Sequence, residues 1–312
     1  MKLLFIRGAV PRDRDWREIA FTSIEDSDDI YEHISYRLGN EASEICYWGM
    51  GRKIDYSDKC LVRWRDDYKK YRCRFEPDVV INRGGFKEGA YITKQYPKAF
   101  KVYLGCGIRY RPDDGINYDL ILVDSERQQR KCNTDKAKLW IKPAPEFFKP
   151  PETYNHEFDV CYIANGTQDI KGHKFVRDTC PRDMKVLHLG FPSCVDKLPN
   201  VTHKRVQRRD MPEWIGKCKV GIIPYEKNDS CPRAMVEMLA CGLPVVALDT
   251  VQFWEEKYRG VSVRNKDCFW HAVREEVADS PTWNRTISNY YKENLSMDKS
   301  VEYLKGLIND LQ

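Results

Sequence analysis

Short apolar runs alternate with amphipathic or polar segments along the whole chain, and this rhythm predicts an α/β protein built on parallel sheets. In the first half, the runs Lys2–Ile6, Ser43–Trp48, Asp78–Ile81, Phe100–Leu104, Leu120–Val123 and Lys138–Ile141 read as strands. A helix is predicted over Ile30–Leu38. Another opens at Asp124-Ser125-Glu126, an N-cap followed by an acidic first turn, and runs through Arg130. The segment Lys142-Pro-Ala-Pro-Glu-Phe-Phe-Lys-Pro-Pro151 continues neither a strand nor a helix and reads as a linker. The alternation then restarts. Phe158–Ile163, Met184–Leu189, Val220–Pro224, Pro244–Ala247 and Val261–Val263 are the predicted strands. Lys171–Asp178, Met211–Lys217, Pro232–Ala240 and Asp267–Asp279 are the predicted helices, and a polar helical tail covers Asp298–Leu311.

The pattern predicts two doubly wound, Rossmann-like domains, residues 1–150 and 151–312, with a cleft between the carboxyl ends of their strands. Sheets of this kind bind ligands at those ends. A chain of 312 residues is long for one core, which agrees with two domains. The content of 42% hydrophobic and 32% charged residues is that of an ordinary globular protein. Lys2–Ile6 is too short for a signal peptide and is followed at once by Arg7, Arg12 and Arg14. No apolar run approaches the roughly 20 residues of a membrane span, so a cytoplasmic protein is expected. Its twelve cysteines are scattered and include no Cys-X-X-Cys pair, which favours reduced core residues over zinc or a disulfide framework.

The net charge of +5 is unevenly spread. Acidic residues dominate up to Met50, and Asp26-Ser-Asp28 in their densest run reads as helix capping ahead of Ile30 rather than as a metal site. From Gly51 to Arg74 the sign reverses, with Arg63, Arg65, Lys69, Lys70 and Arg72 interleaved with Tyr56, Trp64, Tyr68 and Tyr71. Such a block is able to track a phosphate backbone and stack on bases. It also reads as a solvated helix with Trp64 and Tyr68 facing the core, or as an amphipathic basic helix docked on a membrane surface.

The chemistry concentrates in Asp229-Ser-Cys-Pro-Arg-Ala-Met-Val-Glu237-Met-Leu-Ala-Cys-Gly-Leu-Pro-Val-Val246. An apolar strand, a loop, a proline at the first helical turn and then a helix offer backbone N–H groups to a phosphate. Two carboxylates flanking that start are poor phosphate ligands but good partners for sugar hydroxyls, so the combination reads as a nucleotide-sugar site.

This run resembles the donor-binding domain of the retaining GT-B glycosyltransferases, family four in the usual classification. Their hallmark is two glutamates separated by seven residues, running into a helix that ends Ala-Cys-Gly-Leu-Pro-Val-Val. Here the second acid is Glu237, the ending is Ala240–Val246, and Asp229 replaces the first glutamate. The resemblance implies that Glu237 binds the donor ribose, that Asp229 binds hydroxyls of the transferred sugar, and that the backbone of Ser230, Cys231, Pro232, Arg233 and Ala234 holds the diphosphate. A second match, Ile163-Ala-Asn-Gly-Thr-Gln-Asp-Ile-Lys-Gly-His173, assigns Lys171 to the departing diphosphate and places Gly166 and Thr167 in the donor loop. Gly166 stands where family members carry a second cation, an arginine; Arg233 or a cation of the first domain is a candidate to replace it.

In the first half, Asp78–Gly85, Lys101–Gly107 and Leu120–Glu126 fall at analogous strand-to-helix junctions, and Trp140–Pro150 mirrors the exit into the linker. The resemblance implies a nucleotide-diphosphate sugar as co-substrate, with no cofactor and no metal. Candidate acceptor-binding residues are Arg63, Arg65, Lys69, Arg83 and Arg109. A hydroxymethylated base in DNA, a cell-surface or lipid-linked glycan and a small molecule are the acceptor classes considered, DNA leading. A nucleotide-binding protein that has lost transfer is the reading from another class.

Overall fold

A computed structural model describes residues 1–8, 30–39, 42–48, 53–55, 60–65, 68–84, 86–105, 115–164, 169–227 and 229–311. It divides into two compact units, Met1–Ile141 with Ser300–Gln312, and Lys142–Lys299. The division falls ahead of the expected boundary at residue 150, and the C-terminal tail belongs with the first unit. The cause of the first difference is local. The backbone N–H of Lys142 donates to Tyr258 Oη at 2.8 Å, and the N–H of Ala144 donates to Tyr291 Oη, so the proline-rich segment is held by the second unit from its start. In the first unit, Ser300 Oγ donates to the Ile141 carbonyl at 2.6 Å.

The first unit contains an eight-stranded sheet. Its strands are β1 (Lys2–Gly8), β2 (Ala42–Trp48), β3 (Lys53–Asp55), β4 (Cys60–Arg65), β5 (Val79–Arg83), β6 (Phe100–Leu104), β7 (Leu120–Val123) and β8 (Ala137–Leu139). The order is β3-β4-β2-β1-β5-β6-β7-β8, with only β3 antiparallel to its neighbour. The described helices of this unit include α1 (Ile30–Leu38), α2 (Lys87–Thr93) and α3 (Glu126–Cys132). Ser125 caps α3 by accepting from the Gln128 N–H at 3.3 Å, as its sequence position predicts.

The basic block departs from expectation. Cys60–Arg65 is a strand paired in parallel with β2 from Ser43↔Cys60 to Trp48↔Arg65, and among the described residues of the block Tyr68–Lys70 is the one helical turn, a 3-10 turn. The helical readings of this block, solvated or membrane-docked, are therefore corrected. Its Cys-Leu-Val-Arg-Trp-Arg alternation suits a pleated surface better than a helix face.

The second unit holds a six-stranded parallel sheet in the order β11-β10-β9-β12-β14-β16. These are β9 (Phe158–Ala164), β10 (Val186–Gly190), β11 (Val201–Lys204), β12 (Cys218–Ile223), β14 (Val245–Leu248) and β16 (Val261–Arg264). A small parallel pair joins β13 (Asp229–Ser230) to β15 (Val251–Gln252). Helices α4 (His173–Thr179), α5 (Met211–Ile215), α6 (Arg233–Ala240) and α7 (Phe269–Asn294) complete it, and α8 (Met297–Asn309) closes the chain.

Valines from four strands (Val160, Val186, Val220 and Val246) pack with Phe175, Phe269 and Val273 in one core. Strands buried on both faces are the reason these runs read as continuous apolar segments. α7 runs past the expected end at Asp279, through Pro281 to Asn294, because Ile287 and Tyr291 give its later turns a buried face. The described cysteines are free thiols, mostly buried. Among the described residues, no helix is long and apolar enough to cross a membrane.

Candidate donor site in the second unit

Strand order reverses between β9 and β12, and ligands of doubly wound sheets bind outside the carboxyl ends of strands at that point. Beyond β9 stands a 3-10 turn, Asp169–Lys171, followed by Gly172 in the left-handed conformation at φ 77°. A Cβ on Gly172 would lie 1.8 Å from the Pro224 carbonyl oxygen, so only glycine lets this backbone rest against the end of β12. Lys171 is held on both sides. Its carbonyl accepts from Tyr162 Oη at 2.8 Å, and its ammonium lies 4.1 Å from the centre of the Tyr225 ring, two residues beyond β12. Tyr162 Oη is also 3.0 Å from His173 Nδ1, and burial raises the pKa of this phenol far above its ordinary value.

The segment after β12 is fixed by its own small sheet. Asp229 pairs with Val251 and Ser230 with Gln252, and the Cys231 N–H donates to the Gln252 carbonyl at 2.6 Å. Cys231 is buried with φ 39°, a conformation a non-glycine residue holds only under constraint. Part of that constraint is Lys142, whose buried ammonium donates to the Cys231 carbonyl at 2.9 Å. Pro232 then opens α6 with no side-chain cap. Because the Cys231 amide is committed to Gln252 and Pro232 has no N–H, the amides of Arg233 and Ala234 are the ones in this run that open the helix, where donors lack intrahelical partners.

α6 ends in a Schellman turn. The Leu243 N–H donates to the Met238 carbonyl and the Gly242 N–H to that of Leu239, both at 2.9 Å, with Gly242 at φ 79°. This is the physical content of the Cys-Gly-Leu-Pro ending: a left-handed glycine stops the helix and a proline starts the return to β14. Gly221 in β12 has the complementary role. A Cβ there would lie 2.4 Å from Met238 Sδ, so its absence lets α6 sit close on the strand.

Glu237 projects from α6 with 5% exposure. Its Oε1 accepts from Nη2 of Arg208, in the 3-10 turn Arg208–Asp210 that follows β11. The Arg208 guanidinium also lies 5.7 Å from the Phe148 ring centre.

The sheet thus brings Lys171 and the Cys231–Glu237 segment to adjacent strand ends at one switch point. Gly166 and Thr167 lie outside the described residues, as do the side chains of Asp229 and Ser230. The residues proposed for an acceptor all fall in the first unit. Arg83 ends β5, Lys69 is exposed on the 3-10 turn, Arg63 and Arg65 occupy β4, and Arg109 lies outside the described residues. The strand order of that sheet reverses between β1 and β5, where Arg7 and Arg83 are register partners with guanidinium carbons 5.1 and 4.3 Å from the Tyr31 ring centre.

Sequence reasoning did not find Arg208, Lys142, Tyr162, Tyr225 or Arg7. Arg208 and Lys142 act across 29 and 89 residues of chain, and no local spacing announces such a partner. Among the described residues, His188, Asp196 and His203 bring potential metal ligands within 4.8 Å of one another. In the structure they are committed to hydrogen bonds instead: His188 Nδ1 to Asp196 Oδ1 at 2.6 Å, and His203 Nε2 to the Gly190 carbonyl at 2.9 Å. A cavity of about 580 Å³ lined by Trp254, Arg259 and Tyr290 contains none of the predicted site residues.

Residues 160–279 match the family described as glycosyl transferases group 1. No curated protein sequence matches the chain. Solved structures agree in fold along its length. Sucrose-phosphate synthase from Thermosynechococcus elongatus superposes with a TM-score of 0.73 at 10% identity, covering 99% of this chain and 98% of that one. A glycosyltransferase from Rickettsia africae gives 0.72 at 11% identity, over 99% and 98%. HepE of Anabaena, solved in complex with UDP, gives 0.68 at 10% identity, over 99% and 100%. These similarities establish the α/β architecture with two parallel-strand sheets that GT-B enzymes share. The family match falls between β9 and α7, the part of the chain that contains Lys171 and Glu237.

Proposed function

We propose that the protein is a retaining glycosyltransferase that moves a sugar from a nucleoside-diphosphate donor to an acceptor hydroxyl. The observation that carries this reading is the β9/β12 switch point, where Lys171, the start of α6 and the buried carboxylate of Glu237 come from adjacent strand ends, inside the segment that matches group 1 glycosyl transferases. HepE was solved with UDP at a similar fold, which makes a uridine diphosphate sugar the first donor to try.

In this reading Glu237 accepts from the ribose, Asp229 from the sugar, and the amides opening α6 together with Lys171 stabilise the diphosphate. As the anomeric carbon–oxygen bond to the diphosphate breaks, negative charge grows on the leaving oxygen beside the Lys171 ammonium. The acceptor oxygen bonds to the same face of that carbon, and its proton passes to a donor phosphate oxygen. Positioning and charge stabilisation then supply the rate enhancement, and neither a protein base nor a metal is required.

The acceptor is assigned to the first unit. Exposed Lys69, Lys70, Arg72 and Arg74, with Arg83 at the switch point, favour a polyanion, and DNA bearing a hydroxymethylated base is the acceptor we propose. Reaching that hydroxyl in a duplex requires the base to be turned out of the stack.

The test incubates the protein with UDP-, GDP- and ADP-sugars and hydroxymethylated DNA, and weighs the products. A mass gain of one sugar in an α linkage is expected. Glu237→Ala is expected to abolish the gain while leaving DNA affinity intact. Donor binding with neither transfer nor donor hydrolysis, on DNA or on glycan acceptors, would sink the enzymatic reading.

A further inference from the structure

Glu237 is buried in α6, where an ion without a partner is costly. Among the described residues, Arg208 is the cation that meets it, through Nη2 at Oε1 alone. The two side chains are 7% and 21% exposed, so the pair opens toward solvent on the arginine side. Arg208 is itself restrained: Phe148 lies under its guanidinium, and the turn that bears it is closed by the Asp210 N–H donating to the Gln207 carbonyl at 3.0 Å. The turn follows the carboxyl end of β11, and α6 follows that of β12. Both therefore stand at the end of the sheet where ligands bind. Arg208 meets a carboxylate of opposite charge, so its part here is not that of the cation missing at Gly166. What the pair provides is orientation.

We propose that Arg208 is a positioning residue that sets the recognition of ribose: by holding Glu237 Oε1, it leaves Oε2 aimed to accept from a ribose hydroxyl of the donor. This rests on Glu237 being the ribose ligand, as argued above. The guanidinium suits the task because its planar fork fixes the plane of the carboxylate as well as its place, whereas an ammonium fixes only the place. A site built this way discriminates against a ribose lacking the hydroxyl, since a buried acceptor is then left unmet. Arg208 thereby acts on donor selection, and the transferred sugar and the acceptor are read elsewhere.

The full chain is titrated calorimetrically with UDP, ADP and GDP, and the tightest of these is carried forward with its 2′-deoxy and 3′-deoxy forms. The wild type is expected to prefer the ribose form over at least one deoxy form. Arg208→Met, which keeps the apolar stem, should weaken the ribose form by roughly tenfold to a hundredfold and leave that deoxy form nearly unchanged, so the preference collapses. Arg208→Lys should recover part of the affinity but less of the preference. In turnover the loss should appear in the donor KM, with kcat moved far less.

Should Arg208→Met not fold, Arg208→Gln, which retains a donor toward Oε1, gives the same comparison with a smaller loss. A folded variant that keeps the wild-type preference overturns the inference while the donor site stands. A wild type that binds none of the three nucleotides overturns the donor-site reading and this inference with it.

Discussion

The two sheets of this molecule share a winding rule and differ in what it delivers. Strand order reverses between β1 and β5 in the first unit and between β9 and β12 in the second. At the first reversal the register places Arg7 beside Arg83, both against Tyr31. At the second the chain places a glycine, a lysine and an uncapped helix start. At the first switch point the charge comes from two arginine side chains beside a left-handed glycine, Gly84 at φ 91°, and at the second from one lysine and the backbone that opens α6. A backbone site tolerates substitution poorly where strands touch, whereas a side-chain site loses function one charge at a time. The comparison teaches that fold alone does not assign chemistry, because the same topology here carries two unlike constellations.

The largest expected effect tests that contrast through two glycines in the left-handed region. Gly172→Ala would set a Cβ 1.8 Å from a backbone oxygen at φ 77°, and neither group has room to yield. We expect a loss of at least about 3 kcal/mol in urea unfolding, with nucleotide binding abolished. Gly115 in the first unit has φ 68°, but among the described residues the nearest atom to its added Cβ is Lys94 Nζ at 3.9 Å. Gly115→Ala should therefore show only conformational strain, about 1–2 kcal/mol. Equal losses at the two sites would remove the claim that the close approach to Pro224, beyond the left-handed φ itself, sets the cost at Gly172.

The next effect is catalytic. Lys171 is fixed by the Tyr162 hydroxyl on its carbonyl and by the Tyr225 ring under its ammonium, so its charge is placed before any donor arrives. Lys171→Ala is expected to lower kcat by on the order of 10²–10³, as for other removed charge stabilisers, with the donor KM changed little. Single-turnover kinetics separates the two. A loss confined to KM would make Lys171 a binding residue with no share in the transition state.

The molecule also shows which physical signals reach the sequence. The second unit was legible where local chemistry decides structure: the proline at the start of α6, the left-handed Gly242 at its end and the apolar runs buried on both faces of the sheet. The helix expected over Lys171–Asp178 is instead interrupted at its second residue, because left-handed Gly172 ends the 3-10 turn and α4 begins at His173. The basic block was misread as helical because its charges, counted together, obscured the alternation of Cys60-Leu-Val-Arg-Trp-Arg65, whose pairing with β2 is a long-range fact. α7 was expected to end at Asp279, where local pattern gives out ahead of Pro281, while the buried Ile287 and Tyr291 that carry it onward act through tertiary packing. Arg208 and Lys142 were invisible for the same reason. A partner 29 or 89 residues away leaves no trace in spacing, and each became apparent only once the strands had brought the segments together.

The smallest effect falls on the first unit and decides whether the division of labour is real. Arg83 ends β5 and stacks on Tyr31 with Arg7 in register beside it, so removing its charge leaves another cation at the same strand ends. Arg83→Met should accordingly raise the KM for a DNA acceptor by only about tenfold and reduce the slope of affinity against salt by about one charge. Donor affinity should not move, because every residue proposed for the donor belongs to the second unit. Measuring both constants in one set of assays makes the result decisive. A shift in donor affinity would mean that Arg83 answers the diphosphate and supplies the cation absent at Gly166. A shift in acceptor KM without salt dependence would mean that the acceptor is neutral where it meets this strand end, and would turn the search from polyanions to uncharged glycans.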